Sequence, residues 1–126
     1  MTLNIPQIAI LTKGDEARFF ALLDERLELC RKALMCRHEN LKGTLSDISP
    51  IHWQYGAIAR LKKGEKIDRY LMNGYSTISL GYIGLYEASM LITGASHTQP
   101  KGEAFARKLL QRMTDACAKW REESGI

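Results

Sequence analysis

Apolar and polar positions follow two different periods along this chain, and each period predicts one kind of element. Residues 2–11 form a nearly continuous apolar run, which predicts a strand covered on both faces, with Pro6 marking a bulge or a strand edge. In residues 75–83, Ile78 and Leu80 alternate with small hydroxyl side chains, which predicts a second strand. Because one face of this strand is apolar and the other is small and polar, it suits the wall of a cavity.

Three further segments have helical spacing. Asp15 is placed as an N-cap, and apolar residues then recur every three or four positions, which predicts a long amphipathic helix to about His38. Residues 85–93 are helical in composition, and Gly94 predicts their C-terminal stop. The last predicted helix begins near Gly102 and is also long. Its apolar stripe consists of Phe105, Leu109, Met113, Cys117 and Trp120.

The connection between the first helix and the second strand is irregular. Residues 43–50 are loop-like, residues 51–56 are aromatic without a clear period, residues 62–65 predict a solvated turn, and residues 67–72 predict a short helix. Strands separated by long helices require crossover connections, so we expect the strands to pair in parallel. So few strands cannot make a complete sheet, and their edges need partners from outside the chain. The sequence therefore predicts an α/β fold cut from something larger.

Composition sets broad limits on function. The chain has 126 residues, of which 45% are hydrophobic and 25% charged, as in an ordinary folded domain. A formal net charge of +4 allows acidic partners without arguing for them, and neither a nucleic-acid nor a membrane partner is expected. No stretch is apolar enough for a membrane span or a signal peptide, so we expect a cytoplasmic location.

The cysteines and histidines predict no metal site or disulfide. Cys30 and Cys117 lie on the apolar stripes of the two long helices, which favours core packing, whereas Cys36 lies off its helix's stripe and is expected to be exposed or half-buried. An odd number of cysteines without a CxxC spacing also argues against a disulfide framework. The three histidines show none of the spacings that bind zinc. They are His38, His52 and His97, of which His97 is predicted to lie in a loop.

The glycine-rich junction between the second strand and its helix has two ordinary explanations. Gly81 and Gly84 are too close together for a phosphate-binding fingerprint, so close backbone approach is the favoured role. Glu87 falls in the first turn of the predicted helix, where a carboxylate gains from the helix dipole. Neither feature by itself predicts catalysis.

Three stretches of the chain resemble one enzyme family. They are Ser-Leu-Gly-Tyr-Ile-Gly-Leu-Tyr in residues 79–86, Thr-Leu-Asn-Ile-Pro-Gln-Ile-Ala-Ile in residues 2–10, and Gln-Tyr-Gly-Ala in residues 54–57. Together they resemble the class III, oxygen-sensitive anaerobic ribonucleoside-triphosphate reductases, glycyl-radical enzymes that convert ribonucleotides to deoxyribonucleotides. The resemblance covers essentially the whole chain in collinear order.

The resemblance implies a single segment, residues 1–126, from the central part of a larger α/β barrel catalytic domain. The family's radical cysteine would lie before Met1 and its glycyl-radical loop beyond Ile126, so no catalytic residue and no cofactor are expected in this chain. The isolated chain is therefore expected to be inactive. The parent enzyme would bind a ribonucleoside triphosphate, use formate or a dithiol as reductant and form a homo-oligomer. Its glycyl radical would be installed by an activase that uses an iron–sulfur cluster and S-adenosylmethionine.

Three residues are predicted to border the substrate cavity of such an enzyme. By the two-residue strand period, Ser79 and Gly81 share one face of the second strand, and Leu80 and Tyr82 share the other. Asn4 and Pro6 likewise share a face of the predicted first strand. We therefore expect Asn4, Ser79 and Gly81 to line the cavity.

Two other functions remain open from the sequence. The chain could be a small non-catalytic α/β module that closes its sheet by self-association and binds an acidic partner through its positive charge. It could also be part of another glycyl-radical enzyme, which would share the barrel but not the amino-acid sequence of residues 79–86. The fragment hypothesis predicts association through unpaired strand edges, and a compact monomer in solution would count against it.

Overall fold

The computed structural model describes all 126 residues as a mostly helical fold with one two-stranded parallel sheet. The elements are β1 (Thr2–Asn4), α1 (Ile5–Leu11), α2 (Glu16–Leu41), α3 (Pro50–Trp53), β2 (Gly81–Ile83), α4 (Leu85–Thr93) and α5 (Pro100–Ser124). The two long amphipathic helices are confirmed as α2 and α5. The predicted partial barrel is not seen, because two strands of three residues each form the only sheet.

The predicted first strand is wrong beyond Asn4, where the chain turns into α1. The Oδ1 atom of Asn4 accepts a hydrogen bond from the backbone N–H of Gln7 at 3.2 Å and so caps the helix. Pro6 lies in the first turn, where backbone N–H groups have no partner within the helix, so its missing N–H costs no hydrogen bond. An asparagine cap and a first-turn proline start a helix more strongly than an apolar run extends a strand. Residues Ile5, Ile8 and Ala9 form the buried side of α1.

The second strand lies where the sequence predicts it, but it is shorter than predicted. Only Gly81–Ile83 pairs with β1, in parallel, with Leu3 opposite Tyr82. Two bonds extend the pairing by a little, since the Met1 ammonium donates to the Ser79 carbonyl at 3.0 Å and the Gly81 N–H donates to the Met1 carbonyl at 2.8 Å. β2 is short because its one partner is short. The prediction of parallel pairing is confirmed.

Each strand runs directly into a helix, so the chain contains two adjacent strand–helix units. Pro6 at the start of α1 lies against Gly84 at the start of α4. Gly14, just after α1, lies beside the carbonyl of Leu91 near the end of α4. The two helices therefore run side by side in the same direction, as their strands do. Gly94 ends α4 in the left-handed conformation at φ 72°, as predicted.

The main core lies between these units and the helices α2 and α5. Asp15 caps α2 by accepting from the Arg18 N–H at 3.0 Å, as predicted, and the helix continues past His38 to Leu41. Phe19 of α2 meets Phe105 of α5 edge to face, with ring centroids 5.2 Å apart. The buried residues of this core are Leu3, Ile5, Ile8, Ala9, Phe19, Leu23, Leu27, Cys30, Ala88, Phe105, Leu109 and Met113.

Residues 42–72, which we call the connector lobe, form a second and smaller core. An antiparallel bridge between Leu45 and Lys66 closes this lobe. Its buried side chains are those of Ala59, Leu61, Ile67 and Leu71, against which Trp53 and Tyr70 pack. The short helix predicted for residues 67–72 is a 3₁₀ turn, Asp68–Tyr70. None of the helices is both long and apolar enough to cross a bilayer.

Candidate functional site

The two faces of the small sheet have different surroundings. Leu3 is 7% exposed and shares a face with Tyr82, its partner in the register. Leu80 and Tyr82 together border a cavity whose other wall includes Met113 and Cys117 of α5. This face is therefore covered by a helix.

The opposite face of the sheet, which we call the open face, points away from α5. It carries Thr2 beside Gly81 and Asn4 beside Ile83, because these pairs are neighbours in the parallel register. Thr2 and Asn4 are exposed, and the side chain of Ile83 is 54% exposed. Ser79 is also exposed and directly precedes Leu80, which faces the helix. Asn4, Ser79 and Gly81 thus lie on the same side of the sheet, and their role at a substrate cavity stays a prediction.

Asn4 already has one structural role on this face. Its Oδ1 atom is engaged by the Gln7 N–H in the cap of α1. The side-chain amide nitrogen takes no part in that bond and is left as a hydrogen-bond donor at the exposed surface. Asn4 can therefore hold the helix start and donate a hydrogen bond to a ligand at the same time.

Gly84 marks the closest approach of the two strand–helix units. Its φ of 78° is in the left-handed region, and a Cβ atom built there would overlap the ring of Pro6. At Gly81, by contrast, the nearest atom to a built Cβ would be the Met1 carbonyl oxygen at 3.7 Å. The predicted role in close backbone approach is therefore confirmed at Gly84. Glu87 lies in the first turn of α4, as predicted.

The cysteines lie away from the open face. Cys30 is buried in the main core, Cys36 is exposed on α2, and Cys117 is half-buried on α5. Burial raises the pKa of the Cys30 and Cys117 thiols, so both are protonated near neutral pH. A protonated thiol is a poor nucleophile and a poor metal ligand. No group of three His, Cys, Asp or Glu side chains is arranged to hold a metal ion.

A cavity of about 470 Å³ is separate from the open face. It lies between α2, α5 and the segment that precedes β2, with Leu34, Ile78 and Trp120 among its apolar walls. Leu80 borders it from the helix-covered side of the sheet, and Asn4, Ser79 and Gly81 do not. The predicted cavity-lining residues therefore lie outside this cavity.

Sequence reasoning missed two features that shape the open face. The apolar run predicts a strand where the structure has α1, although Asn4 followed by Pro6 is a helix-start signal. The contact between Pro6 and Gly84 is a tertiary contact with no local signal, since the two residues are far apart in sequence. Both features place Asn4 at a helix start beside β2 instead of in the middle of a long strand.

Known proteins match this chain over its full length. A sequence profile of the anaerobic ribonucleoside-triphosphate reductase family matches residues 1–126. The chain is 40% identical over 128 residues to the anaerobic ribonucleoside-triphosphate reductase of Escherichia coli strain K12, and 39% identical over 128 residues to that of Salmonella typhimurium strain LT2. It is 38% identical over 131 residues to the enzyme of that name from Enterobacteria phage T4.

These matches cover nearly all of this chain and a small part of each relative. The alignment with the E. coli protein takes in 99% of this chain and 18% of the relative, and that with the phage protein 100% and 20%. The chain thus spans about a fifth of the length of the curated relatives it matches. Since the family profile extends over every residue, this chain belongs to the anaerobic ribonucleoside-triphosphate reductase family.

Proposed function

We propose that this chain is a central portion of the catalytic domain of an anaerobic ribonucleoside-triphosphate reductase, an enzyme that converts ribonucleoside triphosphates to deoxyribonucleotides by radical chemistry. The observation that carries the proposal is the family match over residues 1–126, combined with coverage of 18% of the E. coli relative. Polypeptide beyond these residues supplies the radical-carrying cysteine and glycine. Alone, the chain is inactive.

The edges of the sheet support a larger assembly. β1 and β2 pair only with each other, so each has one edge of unpaired backbone groups. The outer sides of α1 and α4 are also unusually apolar for an exposed surface. The exposed side chains there are Ile10, Leu11, Tyr86, Met90 and Leu91. In the intact enzyme, further strands and helices of an α/β barrel pack against these groups.

In that barrel the open face is the side of the sheet that borders substrate. Asn4 donates a hydrogen bond from its amide nitrogen to a ribose hydroxyl, while its Oδ1 atom keeps the cap of α1. Gly81 has no side chain, so a substrate can approach the backbone of β2. Ser79 adds a small hydroxyl on the same side. These residues bind and orient the substrate, and none of them carries a radical.

Other parts of the proposal rest on family membership alone. The substrate of the intact enzyme is a ribonucleoside triphosphate, and the enzyme is a homo-oligomer. A glycyl radical outside this segment, installed by an activase with an iron–sulfur cluster and S-adenosylmethionine, supplies the radical chemistry. This chain helps to position the substrate and to exclude water from the reacting ribose.

Substitution of Asn4 in the intact reductase tests the cavity assignment. Serine is as good an N-cap as asparagine, so Asn4→Ser keeps α1 while it replaces the amide donor with a hydroxyl that extends less far from the backbone. We expect Asn4→Ser to lower kcat/KM for nucleotide reduction about tenfold, the value of one hydrogen bond, with no change in thermal stability. Asn4→Ala should lower both activity and stability, since it also removes the cap.

The matched control is Asn40→Ser, the same exchange at an exposed position near the end of α2. It should change neither activity nor stability. Wild-type activity of Asn4→Ser would show that Asn4 only caps a helix and would remove it from the substrate cavity. Nucleotide reduction by the purified 126-residue chain would overturn the fragment assignment itself.

A further inference from the structure

The connector lobe carries most of the chain's excess positive charge. Residues 42–72 hold six Lys and Arg against three Asp and Glu, while the whole chain has a formal net charge of +4. Five of these cations are exposed and make no ion pair with any carboxylate, unlike the paired Lys42. They are Arg60, Lys62, Lys63, Lys66 and Arg69.

The acidic residues of the lobe are engaged elsewhere. Asp47 accepts from the Gly64 N–H at 2.7 Å, and Asp68 accepts from the Gly43 N–H at 2.6 Å. Glu65 accepts from a backbone N–H within its own turn. All three carboxylates therefore hold the backbone of the lobe in shape and do not pair with its cations. The positive charge is left to act outward.

Exposed apolar side chains occur in the same lobe as these cations. Ile48 directly follows Asp47, which is bonded to the lysine-rich turn, and is 72% exposed. Ile51 is 70% exposed. Its carbonyl accepts from the Ala57 N–H at 3.3 Å, and the His52 carbonyl accepts from the Ile58 N–H at 2.9 Å, which brings residues 51–52 close to residues 57–58. The apolar members of this surface are Ile48, Ile51, Tyr55 and Ile58. Together with the five cations, we call them the basic lobe surface.

The chemistry of the basic lobe surface favours one kind of partner. A second copy of this chain would bring the same cations face to face across a two-fold interface, which opposes association. Nucleic acid would neutralise the cations, but its bases stack on aromatic rings, and three of the four apolar side chains here are isoleucines. A protein segment with both carboxylates and apolar side chains satisfies the cations and the isoleucines at once.

We propose that the basic lobe surface docks an acidic, amphipathic segment of another protein. Carboxylates of that segment pair with Lys62, Lys63 and Lys66, and its apolar side chains cover Ile48 and Ile51. The proposal goes beyond the reductase function, because none of these residues belongs to the open face. It assigns the lobe as a place where a partner binds the enzyme.

Binding of a defined peptide tests the docking site. The probe is a fluorescent synthetic helix in which glutamates occupy one face and leucines the other, titrated by anisotropy against the 126-residue chain and against the intact reductase. Lys62→Glu with Lys63→Glu should weaken binding at least about tenfold, because close interfacial charge pairs are strongly coupled. Ile51→Ser should also weaken it. Higher salt should weaken binding to the wild type.

The matched control is Lys32→Glu with Lys101→Glu, which makes the same charge change at two exposed lysines on α2 and α5. Those substitutions should leave peptide binding within about twofold of wild type. Trp53 packs against the lobe core, so its fluorescence in a Trp120→Phe background reports whether each variant keeps the fold of the lobe. The Asn4→Ser variant should bind the peptide normally, so this proposal and the proposed function fail separately.

Four results would overturn the docking proposal. They are no peptide binding, equal loss in the control pair, peptide binding to the 126-residue chain that is absent from the intact reductase, and tighter binding of a single-stranded DNA oligonucleotide that Ile51→Ser does not affect. The third result would show that the enzyme's own polypeptide covers the surface. The fourth would assign the cations to a nucleic acid.

Discussion

The main body, which consists of the sheet with α1, α2, α4 and α5, and the connector lobe satisfy their backbone hydrogen-bonding groups in different ways. In the main body, α2 and α5 satisfy their own backbone groups, so their charged side chains are free to pair across the helices. Arg112 bonds Asp24 with its Nε atom at 2.8 Å, and Lys108 bonds Glu16 at 2.6 Å. In the lobe, where regular structure is scarce, the acidic side chains bond the backbone instead.

This difference explains why unpaired cations collect on the lobe. A segment without long helices or strands must find side-chain partners for its N–H and C=O groups. Ser46 does this as well as the acids, since its hydroxyl donates to the Lys62 carbonyl at 2.7 Å. The carboxylates consumed in this way cannot neutralise neighbouring lysines. The irregular structure of the lobe therefore leaves its surface with unpaired positive charge, which is available for binding.

The largest expected effect lies in the aromatic core of the main body. Phe19 is fully buried and contacts the rings of both Phe20 and Phe105. Phe19→Ala should lower the free energy of unfolding by about 3–5 kcal/mol, because it leaves a cavity between α2 and α5. Urea unfolding followed by circular dichroism measures the change. A loss below about 1 kcal/mol would mean that the two helices are not held together by this cluster.

The equivalent change in the lobe should have a local effect. Ile67 is 1% exposed, and Ile67→Ala should lower stability by about 2–4 kcal/mol within the lobe core. Because that core is separate from the main one, the lobe should open while α2 and α5 stay folded. Amide hydrogen exchange distinguishes these cases. If α2 and α5 lose protection together with residues 42–72, the two regions form one cooperative unit.

Two glycines at the ends of α4 separate steric contact from backbone strain. Both have positive φ, but a Cβ at Gly84 would overlap Pro6, whereas nothing lies within 4 Å of a Cβ built at Gly94. Gly94→Ala should lower stability by about 1 kcal/mol from strain alone, and Gly84→Ala by about 2–3 kcal/mol. Thermal unfolding of both variants measures the difference. Equal losses would mean that α1 and α4 can move apart at no cost.

The smallest expected effect comes from breaking the ion pair between Asp24 of α2 and Arg112 of α5. Hydrogen bonds from Arg112 lower the pKa of Asp24 below its ordinary value. The pair therefore stabilises the fold above the unfolded-state pKa of about 3.9, and this contribution is lost as the pH falls through the lower folded-state pKa. Asp24→Asn should lower stability by less than about 1 kcal/mol at pH 7, since both side chains are partly exposed.

As the pH falls from 7 toward 2, the stability difference between the Asp24→Asn variant and the wild type should shrink, because protonation of Asp24 removes the charge on which the pair depends. Glu25→Gln serves as the control, since Glu25 is an exposed carboxylate on the same helix without an ion pair. Urea unfolding at pH 7, 4 and 2 gives the comparison. A pH-independent difference for Asp24→Asn would point to packing, and not charge, as the role of Asp24.

Local patterns in the sequence predicted the elements whose signals are local. The cap at Asp15, the stripe through Phe19 and Leu23, and the stop at Gly94 all appear where the sequence placed them. Local patterns are misleading at residues 5–11, where an apolar run predicts a strand although Pro6 favours a helix start. The prediction of strand length was wrong for a different reason. Strand length depends on a partner strand, which a single segment of sequence does not specify.

The candidate site also has one part that the sequence predicts and one part that only the structure shows. The alternation around Ser79 and Gly81 was enough to separate the helix-covered face, with Leu80 and Tyr82, from the face that carries the predicted cavity residues. That Asn4 lies on this same face, at a helix start, came only from the parallel register. The use of all three residues at a substrate cavity stays a prediction for the Asn4 variants to test.

By itself the sequence determined the family, the two long helices and the polar side of β2, because each depends on residue identity or on a period within one segment. Only the tertiary structure decided the short sheet, the packing of Pro6 against Gly84 and the use of the lobe's carboxylates as backbone acceptors. These features join residues far apart in the chain. Their energies depend on distances that folding alone creates.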